Sequence, residues 1–317
     1  MNTQHIRPQL IRIGSRASKL ALVQAHDIQA KIKAALGADG EAEVIHITTS
    51  GDRIQDRSLM AVGGKALFTK EIEEALLEGR IDCAVHCLKD MPAQSPPGLV
   101  IAAIPQREDP RDAFLSEHYA SLDSLPQGAR LGTASLRRQA QALHQRPDLA
   151  VVLMRGNVDT RLGKLAKGDA DAILLAVAGL NRLGLGHLAK ALIDPIEAPP
   201  APGQGALAIQ TRAEDRNAPW VTGLRHQPTT LAVAAERGAL EALEGSCRTA
   251  IGAHARLAGS HLSLVVEALT PDGVKRFRRF GECEVSGADG ESVARDLGRR
   301  LGQEIGVEGG EALLATL

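Results

Sequence analysis

The chain has 317 residues, and its 37 Lys and Arg against 38 Asp and Glu give a formal net charge of -1, which excludes the strongly basic footprint of a nucleic-acid binder. Its aromatic residues are Trp220, Tyr119 and four Phe, too few for the stacking platforms that single-stranded nucleic acid needs. Four cysteines without regular spacing exclude a disulfide-stapled scaffold, and the absence of a signal-peptide pattern or a ~20-residue apolar run predicts a cytoplasmic chain with no membrane partner.

The predicted elements begin with a strand at residues 10–13, the turn Gly14-Ser15-Arg16-Ala17-Ser18, and a helix whose apolar positions Leu20, Val23, Ile28, Ile32 and Leu36 follow a helical period. Ser18 is its expected N-cap. A strand at 44–48 runs into Ser50-Gly51-Asp52. A helix around Phe68, Ile72 and Leu76 then precedes Gly79-Arg80-Ile81-Asp82 and a strand at 83–88. The order recurs: Arg130-Leu131-Gly132-Thr133-Ala134-Ser135 echoes the first turn and opens a helix at 136–144, a strand at 150–154 runs into Gly156-Asn157, and Gly168-Asp169-Ala170-Asp171 enters a strand at 173–177. Three landmarks in the same order predict two α/β domains of one design.

Proline marks the crossings between them, at residues 92–97 and 105–110 and again at Pro199-Pro200-Ala201-Pro202. A short apolar strand at 206–210 is expected to return to the first sheet. Two crossings between similar α/β units predict a hinged clamshell with its ligand in the cleft. From about residue 228 the pattern changes to a helix capped by Thr229 or Thr230, a hairpin turning at Pro271-Asp272-Gly273, and an amphipathic helix with Val293, Leu297, Leu301 and Ile305 on one face. The expected division is residues 1–105 with 205–223 as one α/β domain, 106–204 as the second, and 224–317 as a small α+β domain.

Charge is unevenly spread. Residues 130–165 hold seven basic and two acidic side chains, whereas 281–317 hold eight acidic and three basic. The C-terminal run reads as a solvated face. The basic run is different, because Arg137 and Arg138 would lie in a first helical turn beside Thr133 and Ser135, as Arg16 lies beside Ser18. Cations there oppose the helix dipole at about 0.3–1 kcal/mol each, a cost that a bound anion removes. Hydroxyls, exposed N–H groups and guanidinium forks suit carboxylates or phosphates, and Arg155 and Arg161 extend the same rim.

Lys89-Asp90 sits at a strand end, where open α/β sheets bind ligands, and offers an anion-binding cation beside a proton-handling carboxylate. Cys247 follows a helix in a loop, where access and Arg248 favour the thiolate. Cys83, His86 and Cys87 do not make a metal site: the two thiols and the imidazole lie on opposite strand faces and nothing completes a tetrahedron. Gly63-Gly64-Lys65-Ala66 lacks the upstream Gly and the hydroxyl of a P-loop.

In these segments the chain resembles the porphobilinogen deaminase (hydroxymethylbilane synthase) family along essentially its whole length. The matching stretches are residues 13–21, 62–68, 82–92, 107–113, 132–138, 155–157, 174–184, 202–206 and 244–247. The resemblance implies two domains like those of periplasmic binding proteins and a third bearing a cysteine, here Cys247, that carries a dipyrromethane cofactor through a thioether. It implies condensation of four porphobilinogen molecules onto that primer, loss of four ammonia molecules, and hydrolytic release of the tetrapyrrole by a monomer. Asp90 would be the catalytic carboxylate, holding a pyrrole nitrogen, an azafulvenium cation and a departing proton in turn. Arg16, Ser18, Lys89, Thr133, Ser135, Arg137, Arg138, Arg155, Arg161 and Arg182 match positions that bind the acetate and propionate groups, and Phe68 matches an aromatic near the reacting ring.

The chain departs from the family pattern at Cys87 and Ala134, where Ser is common, at Ala61, where some relatives have Lys, and at Arg248-Thr249-Ala250 after the cysteine. The competing expectation is a non-enzymatic cytoplasmic clamshell for a small carboxylate or other anion, which leaves the third domain and Cys247 without a task.

Overall fold

A computed structural model of the chain describes residues 10–37, 40–53, 69–243 and 250–314. Strands β1 (Leu10–Ser15), β2 (Glu41–His46), β3 (Cys83–Cys87), β4 (Leu99–Ala103) and β10 (Leu207–Arg212) form a first sheet in the order β2-β1-β3-β10-β4. Strands β5 (Asp112–Leu115), β6 (Arg130–Thr133), β7 (Ala150–Leu153), β8 (Ala172–Ala176) and β9 (Ala191–Leu192) form a second, in the order β7-β6-β8-β5-β9. Each has three parallel strands followed by one reversed strand, β10 in the first and β5 in the second. The registers correspond as well: Ile13 faces Cys83 as Leu131 faces Ala172. Each reversed strand follows a proline-rich crossing, so it is where the chain enters from the other sheet. The expected return of residues 206–210 is thus observed in β10.

Helices cover both sheets. Around the first lie α1 (Lys19–Leu36), the single turn α2 (Ser50–Arg53), α3 (Lys70–Leu77) and α7 (Pro219–Thr222); around the second lie α4 (Leu136–Gln145), α5 (Val158–Ala166) and α6 (Val177–Arg182). Ile28 and Ile32 of α1 pack with Ile13, Val85, Ile209 and Trp220 in one apolar cluster, and each such fully buried side chain contributes about 1.5–3 kcal/mol. Val23, expected on that face, is exposed, and the buried positions beside it are Gln24 and Ala25.

The C-terminal part is α+β. Helix α8 (Gln227–Leu243) and helix α9 (Gly290–Leu314) pack on an antiparallel sheet of β11 (Ala250–Ala258), β12 (His261–Leu269) and β13 (Arg276–Glu284). The two helices approach so closely that a Cβ at Gly298 would fall 1.9 Å from the Ala235 carbonyl oxygen, and one at Gly238 2.1 Å from that of Arg295. Glycine at both is therefore a packing requirement. Thr229 and Thr230 are not caps, because α8 starts a turn earlier. His226 supplies the capping acceptor, taking the Thr229 N–H on Nδ1 at 3.3 Å, and its carbonyl takes the Thr230 N–H. Leu297, Leu301 and Ile305 are buried as expected, whereas Val293 is exposed and Ala294 takes the inward place.

Candidate active site

The carboxyl ends of the parallel strands in both sheets carry the candidate residues. After β1 the chain turns through half-buried Arg16 to Ser18, whose hydroxyl caps α1 by accepting the Ala21 N–H at 3.3 Å. After β6, Thr133 Oγ1 accepts the Ser135 N–H at 3.1 Å and Ser135 caps α4 by accepting the Arg138 N–H at 3.4 Å. After β7 come Arg155 and the α5 cap Asn157, with Arg161 Nε donating to the Gly156 carbonyl at 2.8 Å. The capping hydroxyls act as acceptors here, so their own protons are still available to a ligand. Neither α1 nor α4 has an acidic residue in its first turn, which leaves their positive ends open to an anion.

Strand β3 ends one residue earlier than the sequence pattern suggests and passes into a 3-10 turn, Leu88–Asp90. That turn swings Lys89 and Asp90, both half-buried, toward the second sheet. The electrostatics link the two sides. Burial lowers Arg161 to about 10, with Arg138 and Arg155 pushing the same way and Asp90 opposing. Burial also lowers Lys89, with Asp90 opposing and Arg138 adding to the fall. Asp90 from the first sheet and Arg138, Arg155 and Arg161 from the second therefore share one neighbourhood. Arg182, the last residue of α6, joins the same region and donates from Nη2 to the Gly205 carbonyl at 2.7 Å. Lys19 of α1 and Asp159 of α5 approach to 3.8 Å at the exposed rim.

Arg137 and Arg138 are not the uncompensated surface cations that their first-turn position suggested. Both are buried, and the compensating anion is the protein's own Asp112. Asp112 Oδ1 accepts from Arg138 Nε at 3.1 Å and Nη2 at 2.7 Å, while Oδ2 lies 2.8 Å from Arg137 Nη2. Burial pushes the Asp112 carboxyl up, but the two guanidinia outweigh it and hold it below the ordinary carboxylate range. Gln204 also donates to Oδ1, at 2.8 Å, and accepts from Lys89 Nζ at 3.3 Å. Nothing in the sequence marks Asp112 or Gln204 as a site residue beyond their place beside the proline-rich crossings, in the family-matching stretches 107–113 and 202–206.

Two guanidinium nitrogens in this region, Arg137 Nε and Arg155 Nη1, are buried and have no hydrogen-bond partner among the described residues. Unpaired buried donors are costly, so the arrangement suits a ligand with several carboxylates. On β3, His86 donates from Nε2 to Gln210 Oε1 at 3.0 Å, and burial pushes it down to about 4, keeping it neutral. Cys87 pairs with Gln24 at 3.2 Å, where a serine hydroxyl was the alternative. Among the described residues no three His, Cys, Asp or Glu side chains cluster as metal ligands, and no helix is long and apolar enough to cross a membrane. Phe68 and Cys247 lie outside the described residues. A cavity of about 380 Å³ in the C-terminal part, between Leu231, Leu257 and Val285, is lined by no charged side chain and cannot serve such a ligand.

Two family models match: "Porphobilinogen deaminase, dipyromethane cofactor binding domain" over residues 11–219 and "Porphobilinogen deaminase, C-terminal domain" over residues 230–306. A porphobilinogen deaminase from Caulobacter sp. (strain K31) is 66% identical over 314 residues, covering 97% of this chain and 99% of that protein. One from Phenylobacterium zucineum (strain HLK1) is 64% identical over 314 residues, covering 96% and 98%. Among solved structures, an ABC-transporter periplasmic substrate-binding protein from Coxiella burnetii is 16% identical over 72% of this chain and 96% of that chain, with a TM-score of 0.42.

Proposed function

This chain belongs to the porphobilinogen deaminase family, and from that premise we propose that it condenses four porphobilinogen molecules head to tail on a covalently held dipyrromethane primer, releasing ammonia and, after hydrolysis, hydroxymethylbilane. When bound, the dipyrromethane supplies the pyrrole carbon to which the first substrate is joined. Cys247 is its attachment residue. The observation that carries the reading is the chain of hydrogen bonds Lys89–Gln204–Asp112–Arg138, which joins the strand end bearing Asp90 in the first sheet to the cationic turn of the second.

Each ring of primer and substrate bears an acetate and a propionate, and the unpartnered N–H groups of Arg137 and Arg155 fit such carboxylates. Arg16, Lys89, Arg161 and Arg182 add positive charge, while the hydroxyls of Ser18, Thr133 and Ser135 donate to carboxylate oxygens. Family resemblance makes Phe68 the aromatic neighbour of the reacting ring in this reading. These groups orient the substrate so that its reacting carbon meets the primer's. Asp90 then does the chemistry: its carboxylate oxygens accept the substrate's pyrrole N–H, stabilise the cation that develops as ammonia leaves, and take the proton lost after the new bond forms.

The domain division expected from the sequence and action as a cytoplasmic monomer, with neither membrane nor nucleic acid as partner, belong to the same reading; sedimentation at micromolar concentration tests the monomer. The non-enzymatic binding reading gives Asp90 and the C-terminal part no task. Intact mass spectrometry of the purified chain is the direct test: an excess mass of two substituted pyrrole rings is expected, and it is lost in Cys247→Ala. A chain of unmodified mass from a haem-competent host would overturn the assignment.

A further inference from the structure

Arg137 and Arg138 are adjacent on the first turn of α4, both buried, and each would repel the other in a medium that screens poorly. One carboxylate serves both. Asp112 opens β5 directly after the first crossing; with Arg138 Nη1 donating to the Leu174 carbonyl at 3.0 Å, all three Arg138 nitrogens are engaged. Arg137 spends Nη2 on Asp112 and Nη1 on Gln141 Oε1 and the Pro199 carbonyl, at 2.7 and 3.2 Å, which keeps Nε as its unpartnered donor. Gln204, from the second crossing, spans the sheets, since its Nε2 donates to Asp112 and to the Pro110 carbonyl at 2.7 Å while its Oε1 accepts from Lys89.

We propose that Asp112 is a positioning residue: together with Gln204 it holds Arg137 and Arg138 of the second sheet at fixed spacing from Lys89 of the first, so that the cationic wall stands ready before any carboxylate arrives. Asp112 touches no reacting atom. It acts by fixing the orientation of the Arg137 guanidinium and by preventing the two guanidinia from parting. The chain Lys89–Gln204–Asp112–Arg138 draws on both crossings, so the same contacts that join the two sheets set the spacing of the cations. This inference rests on the proposed condensation activity for its kinetic consequences alone.

The test uses the full-length chain with Asp112→Asn, a near-isosteric change, and Gln204→Met. Solvent exchange of the Arg138 Nε–H is measured by NMR, KM and kcat with porphobilinogen, and the fraction of chains carrying the two-ring mass by intact mass spectrometry. Asp112→Asn should speed the Arg138 exchange by about tenfold or more, raise KM more than it lowers kcat, and reduce the two-ring fraction. Gln204→Met should leave Arg138 protected and raise KM about threefold, the worth of one hydrogen bond. Wild-type exchange and wild-type KM in Asp112→Asn would overturn the proposal. If that variant does not fold, an unchanged KM in Gln204→Met overturns it, as does loss of Arg138 protection there, which would make Gln204 the holding group. The exchange measurement needs no turnover, so a wild-type chain that leaves porphobilinogen unconsumed overturns the functional reading alone.

Discussion

Asp82 holds Arg12 by three contacts, accepting its backbone N–H at 2.8 Å, its Nε at 3.0 Å and its Nη2 at 2.8 Å. Asp171 holds Arg130 in the same three ways, at 2.7, 3.4 and 2.9 Å. In each sheet the clamp joins the strand leading to a cationic turn to the residue just ahead of its neighbouring parallel strand. The two glycines that let the chain turn toward these aspartates, Gly79 and Gly168, have φ of 69° and 76°, a region where side chains are strained.

The first clamp makes stability depend on acid. Burial raises the Asp82 carboxyl, but the bonds from Arg12 outweigh it, so its folded value lies below the ordinary 3.8. Its contribution is fully present above that ordinary value and disappears as pH falls through the lowered one. Arg12 is a third exposed, so solvent weakens the pair and Asp82→Asn should cost only about 1–2 kcal/mol at neutral pH. Urea unfolding should show that difference at pH 7 and its near disappearance once pH has fallen through the lowered value.

A larger effect is expected at Glu236, a fully buried carboxylate on α8. It accepts from Arg107 Nη1 and Nη2 at 2.7 and 3.0 Å, from the Gly203 N–H at 2.7 Å and from the Ala255 N–H at 3.0 Å. Both crossings and β11 thus converge on one side chain. Glu236→Ala should lower unfolding free energy by about 3–5 kcal/mol, because it strands a buried guanidinium. Glu236→Gln should cost less, and equal denaturant midpoints for wild type and Glu236→Ala would refute the estimate.

Substrate binding should weaken in alkali earlier than an ordinary lysine would dictate. Burial lowers Lys89 from its usual 10.5, and its positive charge is lost as pH rises through that lowered value. KM for porphobilinogen should therefore climb below pH 10.5 in the wild type. Lys89→Arg keeps its charge in alkali and should shift the rise to higher pH, which initial rates across a pH series will show.

Asp90→Asn tests the chemical step. The change removes the carboxylate's charge and basicity but preserves its shape, so turnover should fall about a hundredfold or more with little movement of the thermal midpoint. Turnover within a few-fold of wild type would remove Asp90 from its role.

Much of this architecture is legible in the sequence because it is local. The Ser18 cap, the turns after Gly14 and Gly132 and the matched Gly–Asp landmarks each occupy a few consecutive residues. The anionic partner of Arg137 and Arg138 is not local: Asp112 sits in the charged stretch Arg107-Glu108-Asp109-Pro110-Arg111-Asp112, where nothing distinguishes the buried aspartate from its more exposed neighbour Asp109. Strand β11 is hidden for a different reason, since Ala250-Ile251-Gly252-Ala253-His254-Ala255 alternates small residues instead of large and polar ones. The role of Phe68 comes from family resemblance alone, and for Cys247 the sequence adds only a loop position beside Arg248.

The place of β10 has a consequence for how the chain is made. All strands of the second sheet lie between Asp112 and Leu192, so a growing polypeptide holds that sheet complete well before residue 207 is added. In the first sheet β3 and β4 meet only through β10. The N-terminal half therefore leaves the ribosome first yet closes its sheet last, and its apolar edges at β3 and β4 stay unpaired while the whole second unit is translated. Chaperone demand should be concentrated in that interval of synthesis, on the oldest part of the chain.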